Sequence, residues 1–206
     1  MAFFLAGTCC LLLTGILVLP RARRELESDG RISLGTFVPA FLAYVGHGLA
    51  AFAAAWRGAW LLPIPETAAR IVGGVMVAAG VVVYLAARVR FRGFRLAWGL
   101  TTDRLITDGI YRFSRNPQVL SWIVVLTGTA ILGRSMAALL LAAVYLVSCI
   151  VWLPIEERIL ERRFGEEYRR YRQTVPRYLG LARRADAARA PRPATSRLDF
   201  MSGSDR

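Results

Sequence analysis

The sequence predicts an all-α integral membrane protein of about five transmembrane helices, followed by an amphipathic helix on the cytoplasmic side. Three observations predict it. Hydrophobic residues make up 55% of the 206 and charged residues only 20%, and mean hydropathy is +0.43, a balance too apolar for an ordinary soluble domain. Apolar runs of about bilayer length recur along the chain, separated by short polar intervals. All 27 basic residues are arginines, set against 14 acidic ones for a net charge of +13, and most of them flank the apolar runs. That placement fits the positive-inside bias and anionic lipid headgroups rather than nucleic acid. The partners this composition implies are membrane lipids, anionic headgroups included.

The first run, residues 2–20, is uncharged and of spanning length. No positive segment precedes it, so a retained helix is expected rather than a cleaved signal. RARRELESDGR follows as an expected polar loop, with Gly30 as its turn. The second span, about Thr36–Trp56, carries the single histidine, His47. With no second histidine to pair with, a helix-contact hydrogen bond is the expected role, against the default functional reading of an intramembrane histidine. The segment RGAWLLPIPET, with Trp60, reads as interfacial. The third span runs from about Ala69 to Ala87, where Gly73, Gly74 and Gly80 offer small surfaces for close helix packing.

Arg88–Arg95 alternates arginine with apolar residues and reads as a charged extension or headgroup anchor. The fourth and fifth spans are Gln118–Gly133 and about Met136–Pro154, joined by a tight turn at Gly133-Arg134-Ser135. The fourth is short, roughly 24 Å at 1.5 Å per residue. From Ile155 to Tyr171 the apolar residues Ile155, Ile159, Leu160, Phe164, Tyr168 and Tyr171 form one stripe at steps of three and four, as in a helix lying in the interface, with Gly165 marking a bend or a close approach. The tail from Ala185 lacks the apolar anchors of a packed element. Three units follow: an N-terminal pair of spans (1–68), a core (69–178) and a tail (179–206). Cys9, Cys10 and Cys149 have neither disulfide nor metal-ligand spacing and read as packing residues. No metal cluster is expected.

Orientation follows from the arginines. Segments 21–31, 88–115 and 158–206 carry 24 of them and the alternate set only 3, so the N-terminus is expected outside and the C-terminus in the cytoplasm of a bacterial inner membrane.

The chain has no glycine-rich nucleotide loop after a strand and no nucleophile–histidine arrangement. What remains is two polar blocks, TTDRLITDGIYRFSRNP (101–117) and IEERILERRFGEEYRRYRQTVPR (155–177). The hairpin between them returns both to one face. Asp108-Gly109 is a turn signal. Asn116-Pro117 is a helix start, with Asn116 as cap and Pro117 in the first position. Its first amides and Arg115 suit an anion. Glu156 and Glu157, directly after Pro154, are expected to open the last helix. By charge alone they are a helix cap; meeting Arg115 across the hairpin, they make a site for a zwitterionic ligand.

These two blocks resemble the C-terminal core of the isoprenylcysteine carboxyl methyltransferase and phospholipid methyltransferase superfamily, membrane enzymes that use S-adenosylmethionine. Gly109, Tyr111, Arg115, Asn116 and Pro117 match the first part of the family pattern. Glu156, Glu157, Leu160, Phe164, Gly165, Tyr168, Tyr171, Val175 and Pro176 match the second. Val119 and Ser121 stand where the family has tyrosine and glycine, and the arginine of the prenylcysteine enzymes shortly before the paired glutamates is absent. The resemblance implies methyl transfer to a lipidic or small hydrophobic oxygen, sulfur or nitrogen nucleophile. It implies Arg115, Glu156 and Glu157 as catalytic residues, and a cofactor pocket formed by them with Gly109, Tyr111, Asn116, Pro117 and Tyr168. A membrane reductase of the sterol-reductase type, using reduced nicotinamide cofactor, and a non-catalytic membrane protein are the alternatives.

Overall fold

The computed structural model describes residues 2–29, 32–90 and 104–180. Among these, regular structure is helical apart from an isolated bridge between Leu61 and Ser135. Helix α1 (Ala2–Leu13) passes through a π-helical turn (Thr14–Val18) into α2 (Leu19–Asp29). Helices α3 (Leu34–Trp56), α4 (Glu66–Arg88), α5 (Pro117–Leu132), α6 (Met136–Phe164) and α7 (Glu166–Thr174) follow, with a 3₁₀ turn at Gly109–Arg112 ahead of α5. Three of them, α3, α4 and α6, are long and apolar enough to cross a membrane, and α5 is a shorter apolar helix.

Small residues hold the bundle together. The faces of α3 and α6 meet through Ala50, Ala51, Ala54, Ala55, Ala137, Ala138 and Ala142, with Leu126 and Ala130 of α5 in the same core. Between α4 and α5 the backbones approach at glycines. A β-carbon on Gly73 would lie 2.5 Å from the Leu132 nitrogen and 2.7 Å from the Gly128 oxygen, and one on Gly80 would lie 2.9 Å from the Ser121 oxygen. Gly74 faces open space, so two of the three expected glycines make the contact. Ser121, a departure from the family glycine, belongs to this seam: it is buried, and its hydroxyl donates back to the Gln118 carbonyl at 2.8 Å.

One end of the bundle is closed by backbone bonds between the 57–62 loop and the α5–α6 turn. Leu62 N–H donates to the Arg134 carbonyl at 2.7 Å and Met136 N–H to that of Trp60 at 2.9 Å, while the Ser135 hydroxyl donates to the Ala59 carbonyl at 2.8 Å. Phe4 stacks near Trp60 at 5.6 Å, so α1 begins at this end. The charged ends of α2, α4 and α6 gather at the other, where Arg162 pairs with Glu27 at 3.3 Å. His47 is buried at 1% exposure, with Nδ1 3.1 Å from the Gly7 carbonyl of α1, a helix-to-helix contact as expected.

Three expectations need correction. Residues 21–29 are helix, not loop, because Arg21–Glu25 and Arg23–Glu27 pair one turn apart at 3.1 and 3.0 Å while Ala22 and Leu26 are buried. The last polar block does not open a helix of its own. Helix α6 runs through Pro154, so Glu156 and Glu157 lie in its interior and cap nothing. The cost of the proline is a lost hydrogen bond and a crowded turn, and it is offset by Leu153 and Ile159, buried on either side. The break falls at Gly165, whose φ of +53 and ψ of −121 exclude a side chain without strain. Finally, the stripe on α6 and α7 packs inward rather than lying on lipid: Leu160 and Phe164 lie against Tyr168, Tyr171, Val175 and Leu105. The Gly30 turn, most of the 88–95 run, residues 101–103 and the tail from Ala185 lie outside the described residues.

Candidate functional site

The first polar block is folded by its own turn chemistry. Gly109 takes φ +60, which a side chain would resist, and the 3₁₀ turn after it buries Tyr111. The Tyr111 carbonyl accepts from the Tyr171 hydroxyl at 2.8 Å, and its own hydroxyl accepts from Gln118 Nε2 at 3.0 Å. Burial pushes the phenols of Tyr111, Tyr168 and Tyr171 above their ordinary range, so all three stay protonated donors.

At the start of α5 lies an ion cluster drawn from three places in the chain. Arg115 Nη1 is 3.1 Å from Glu157 Oε1, and the two side chains are only 9% and 7% exposed. Arg177 closes on the same carboxylate as a fork, Nε donating to Oε1 at 3.0 Å and Nη2 to Oε2 at 2.6 Å. This pair, with the Glu157 hydrogen bond as the leading cause, raises the Arg177 pKa. The backbone joins the same contact: Arg115 N–H donates to the Pro176 carbonyl at 3.1 Å and Asn116 Nδ2 to that of Arg177 at 3.0 Å. Asn116 N–H is taken by Ser114 Oγ at 3.0 Å. Asn116 therefore docks residue 177 rather than capping α5 with its side chain, and the amides of 115 and 116 are already bonded, not open to an anion. Arg115 itself keeps Nε buried without a hydrogen-bond partner among the described residues, while its Nη1 is held in the ion pair with Glu157.

Glu156, one residue earlier, turns about 100° away on the helix. It lines a groove of about 780 Å³ bounded by α1, the π-helical turn, α3, α5 and α6. Tyr44, Val119, Trp122, Tyr145 and Trp152 form its walls, and Gln118 and Glu156 stand at one end. Val119, the other departure from the family pattern, thus presents an apolar wall where a tyrosine would narrow the space.

The structure brings together Arg115, Asn116 and Glu157, and puts Tyr111, Pro117 and Tyr168 around them. Gly109 sits apart, its backbone against Arg90. Sequence reasoning missed Arg177 and Gln118. Arg177 had one available signal, its position immediately after the Val175-Pro176 that ends the motif. Gln118 had none beyond lying in the first turn of α5.

An ion cluster at one end of apolar helices, beside a groove that reaches toward it along those helices, defines the candidate site of a helical protein whose helices are apolar enough to cross a membrane. Residues 68–167 match the family model of phospholipid methyltransferases, and this segment belongs to that superfamily of membrane methyltransferases. The match takes in α4, α5, α6, Arg115 and both glutamates, and ends before Tyr168 and Arg177. Comparison with curated proteins and with solved structures gave no match.

Proposed function

We propose that the protein is a methyltransferase that takes its methyl group from S-adenosylmethionine and transfers it to a lipidic or small hydrophobic nucleophile reached from the bilayer. The adjacency of groove and ion cluster carries this reading: Glu156 lines one, Glu157 builds the other, and a single peptide bond joins them. Bound S-adenosylmethionine would supply an electrophilic sulfonium methyl. The chain's own part is to align and to exclude water. Arg115 fits the cofactor's carboxylate, because its buried guanidinium retains Nε without a hydrogen-bond partner among the described residues and guanidinium groups suit carboxylates. Glu157 fixes the guanidinium in place, Asn116 and Pro117 set the start of α5 beneath it, and Tyr111 and Tyr168 contribute phenolic walls. We place five crossings in this reading, with the polar blocks on the cytoplasmic side.

The decisive measurement is titration of S-adenosylmethionine into folded, detergent-purified protein. Saturable binding is expected. Binding of reduced nicotinamide cofactor in its place would replace this reading with the reductase one.

A further inference from the structure

The two neighbouring glutamates have unlike surroundings. Glu157 is neutralised by Arg115 and Arg177. Glu156 has no ion pair with any described arginine, and among the described residues that line the groove it is the only charged side chain. The other polar groups near this end are the Trp152 indole N–H, which bonds to Glu156, Gln118 at the groove's edge, and the Tyr111 hydroxyl bonded to it.

The groove has a direction and a length. On α6 its lining residues Tyr145, Ser148, Cys149, Trp152 and Glu156 follow one another along a single face. The eleven-residue rise from Tyr145 to Glu156 is roughly 16 Å, about half the depth of a hydrocarbon core. Its rim is apolar and exposed, with Leu49 at 64% and Val147 at 60%, so a chain can enter sideways from one leaflet. A ligand in it buries its tail among aromatic and aliphatic walls and sets its head at Glu156.

We infer that this groove is the acceptor site and that Glu156 recognises the acceptor's head, selecting a single-chain amphiphile whose head donates hydrogen bonds and carries no negative charge. A carboxylate head would meet the Glu156 carboxylate with no described cation on the groove wall between them, whereas an ammonium would be paired. The inference deepens the methyltransferase reading, since only that reading makes the ligand an acceptor. The binding itself needs no methyl donor.

The test uses the full-length protein in zwitterionic nanodiscs without methyl donor. Long-chain alkyl amine and alkyl carboxylate probes of equal length, each with a photoreactive diazirine in the tail, are crosslinked and the adducts mapped. The amine is expected to label Tyr44, Trp122 or Tyr145 in preference to the carboxylate. Glu156→Gln should reduce that preference about tenfold or more, the loss of a hydrogen bond to a charged group. Glu161→Gln, which opens only the exposed pair with Arg172, should keep the preference. Gly48→Leu, which fills the groove at α3, should abolish labelling by both probes. Equal labelling by the two heads, an unchanged preference in Glu156→Gln, or undiminished labelling in Gly48→Leu would overturn the inference. Titrating S-adenosylmethionine into the same preparation separates the two readings. Groove labelling without cofactor binding removes the enzyme assignment alone, and cofactor binding without groove labelling removes the acceptor site alone.

Discussion

One carboxylate set against two guanidinium groups leaves the Arg115–Glu157–Arg177 cluster with one positive charge in excess, held where water is scarce. Removing the carboxylate leaves the Arg115 cation unpaired in a buried environment, whereas Arg177 is more than a third exposed; breaking a buried pair costs about 3–5 kcal/mol. Glu161 offers the contrast. It pairs with Arg172 at 2.7 Å, but the two side chains are 26% and 44% exposed, and a surface pair contributes about 0–1 kcal/mol. Glu157→Gln is therefore expected to reduce both thermal stability and S-adenosylmethionine affinity, and Glu161→Gln to leave both close to the parent; parallel melting curves and binding isotherms check this. The meeting of Arg115 with Glu157 was legible in the sequence, because a hairpin of known length fixes which residues return to one face. The role of Arg177 was not. The second block holds seven arginines, and nothing in a helical stripe says which of them turns back across the chain after the helix has ended. Asn116 was misjudged for a related reason: capping is a local rule, and a distant carbonyl outbid it.

At the level of elements, the seam between α4 and α5 makes the sharpest forecast. Gly73→Ala places a methyl 2.5 Å from a backbone nitrogen of α5 and should destabilise by about 1–3 kcal/mol as the helices separate. Gly74→Ala meets nothing within 4 Å and should be neutral or gain about 0.5–1 kcal/mol. Thermal unfolding in detergent distinguishes the two. The sequence indicated a glycine-rich face but not its azimuth, since 73 and 74 are neighbours and only the partner helix chooses between them. Helix α2 carries a pH prediction. The Thr36 hydroxyl at 2.7 Å, and then the Ser33 amide and hydroxyl, donate to Glu25 and lower its pKa from 4.5 to about 2. A depressed carboxylate pKa adds stability that is full above the unfolded value and lost on acidification. Amide protection factors at residues 25–29 and 33–36, corrected for the intrinsic exchange rate, should fall as pH falls from about 4.5 toward 2, and Glu25→Gln should remove that dependence. The extension of helix through 21–29 was hidden because a charged run reads as loop until its pairs are counted at four-residue spacing.

For the whole molecule, the arginine asymmetry predicts orientation. A reporter fused ahead of Met1 and one fused after Arg206 should report opposite compartments, with the C-terminal one cytoplasmic; matching compartments would mean that one apolar helix, the short α5 being the first to test, does not cross. The described parts of the arginine-rich segments do gather at one end of the bundle, where Glu27 meets Arg162, while Arg57 and Arg134 belong to the loops at the other. Composition and spacing thus made the helical class and the polar face readable. The groove was unreadable, because its walls come from separate elements whose facing sides are set by packing, and apolar residues inside a membrane look alike whether they face lipid, a neighbour or a cavity.

The fork between Arg177 and Glu157 also sets a clock. Twenty residues separate the two, and Arg115 lies farther upstream still, so the ribosome delivers the components of the cluster in a fixed order with the closing one last. Helices α4 and α5 can seat their glycine seam while α6 is still being made. Arg115 then waits, charged and unmatched, until Glu157 follows it out, and the carboxylate is not gripped from both sides until the segment after α7 has emerged. A nascent chain halted before that point has its apolar helices but not its closed ion cluster, so the cluster forms in one step after α7 rather than growing with length.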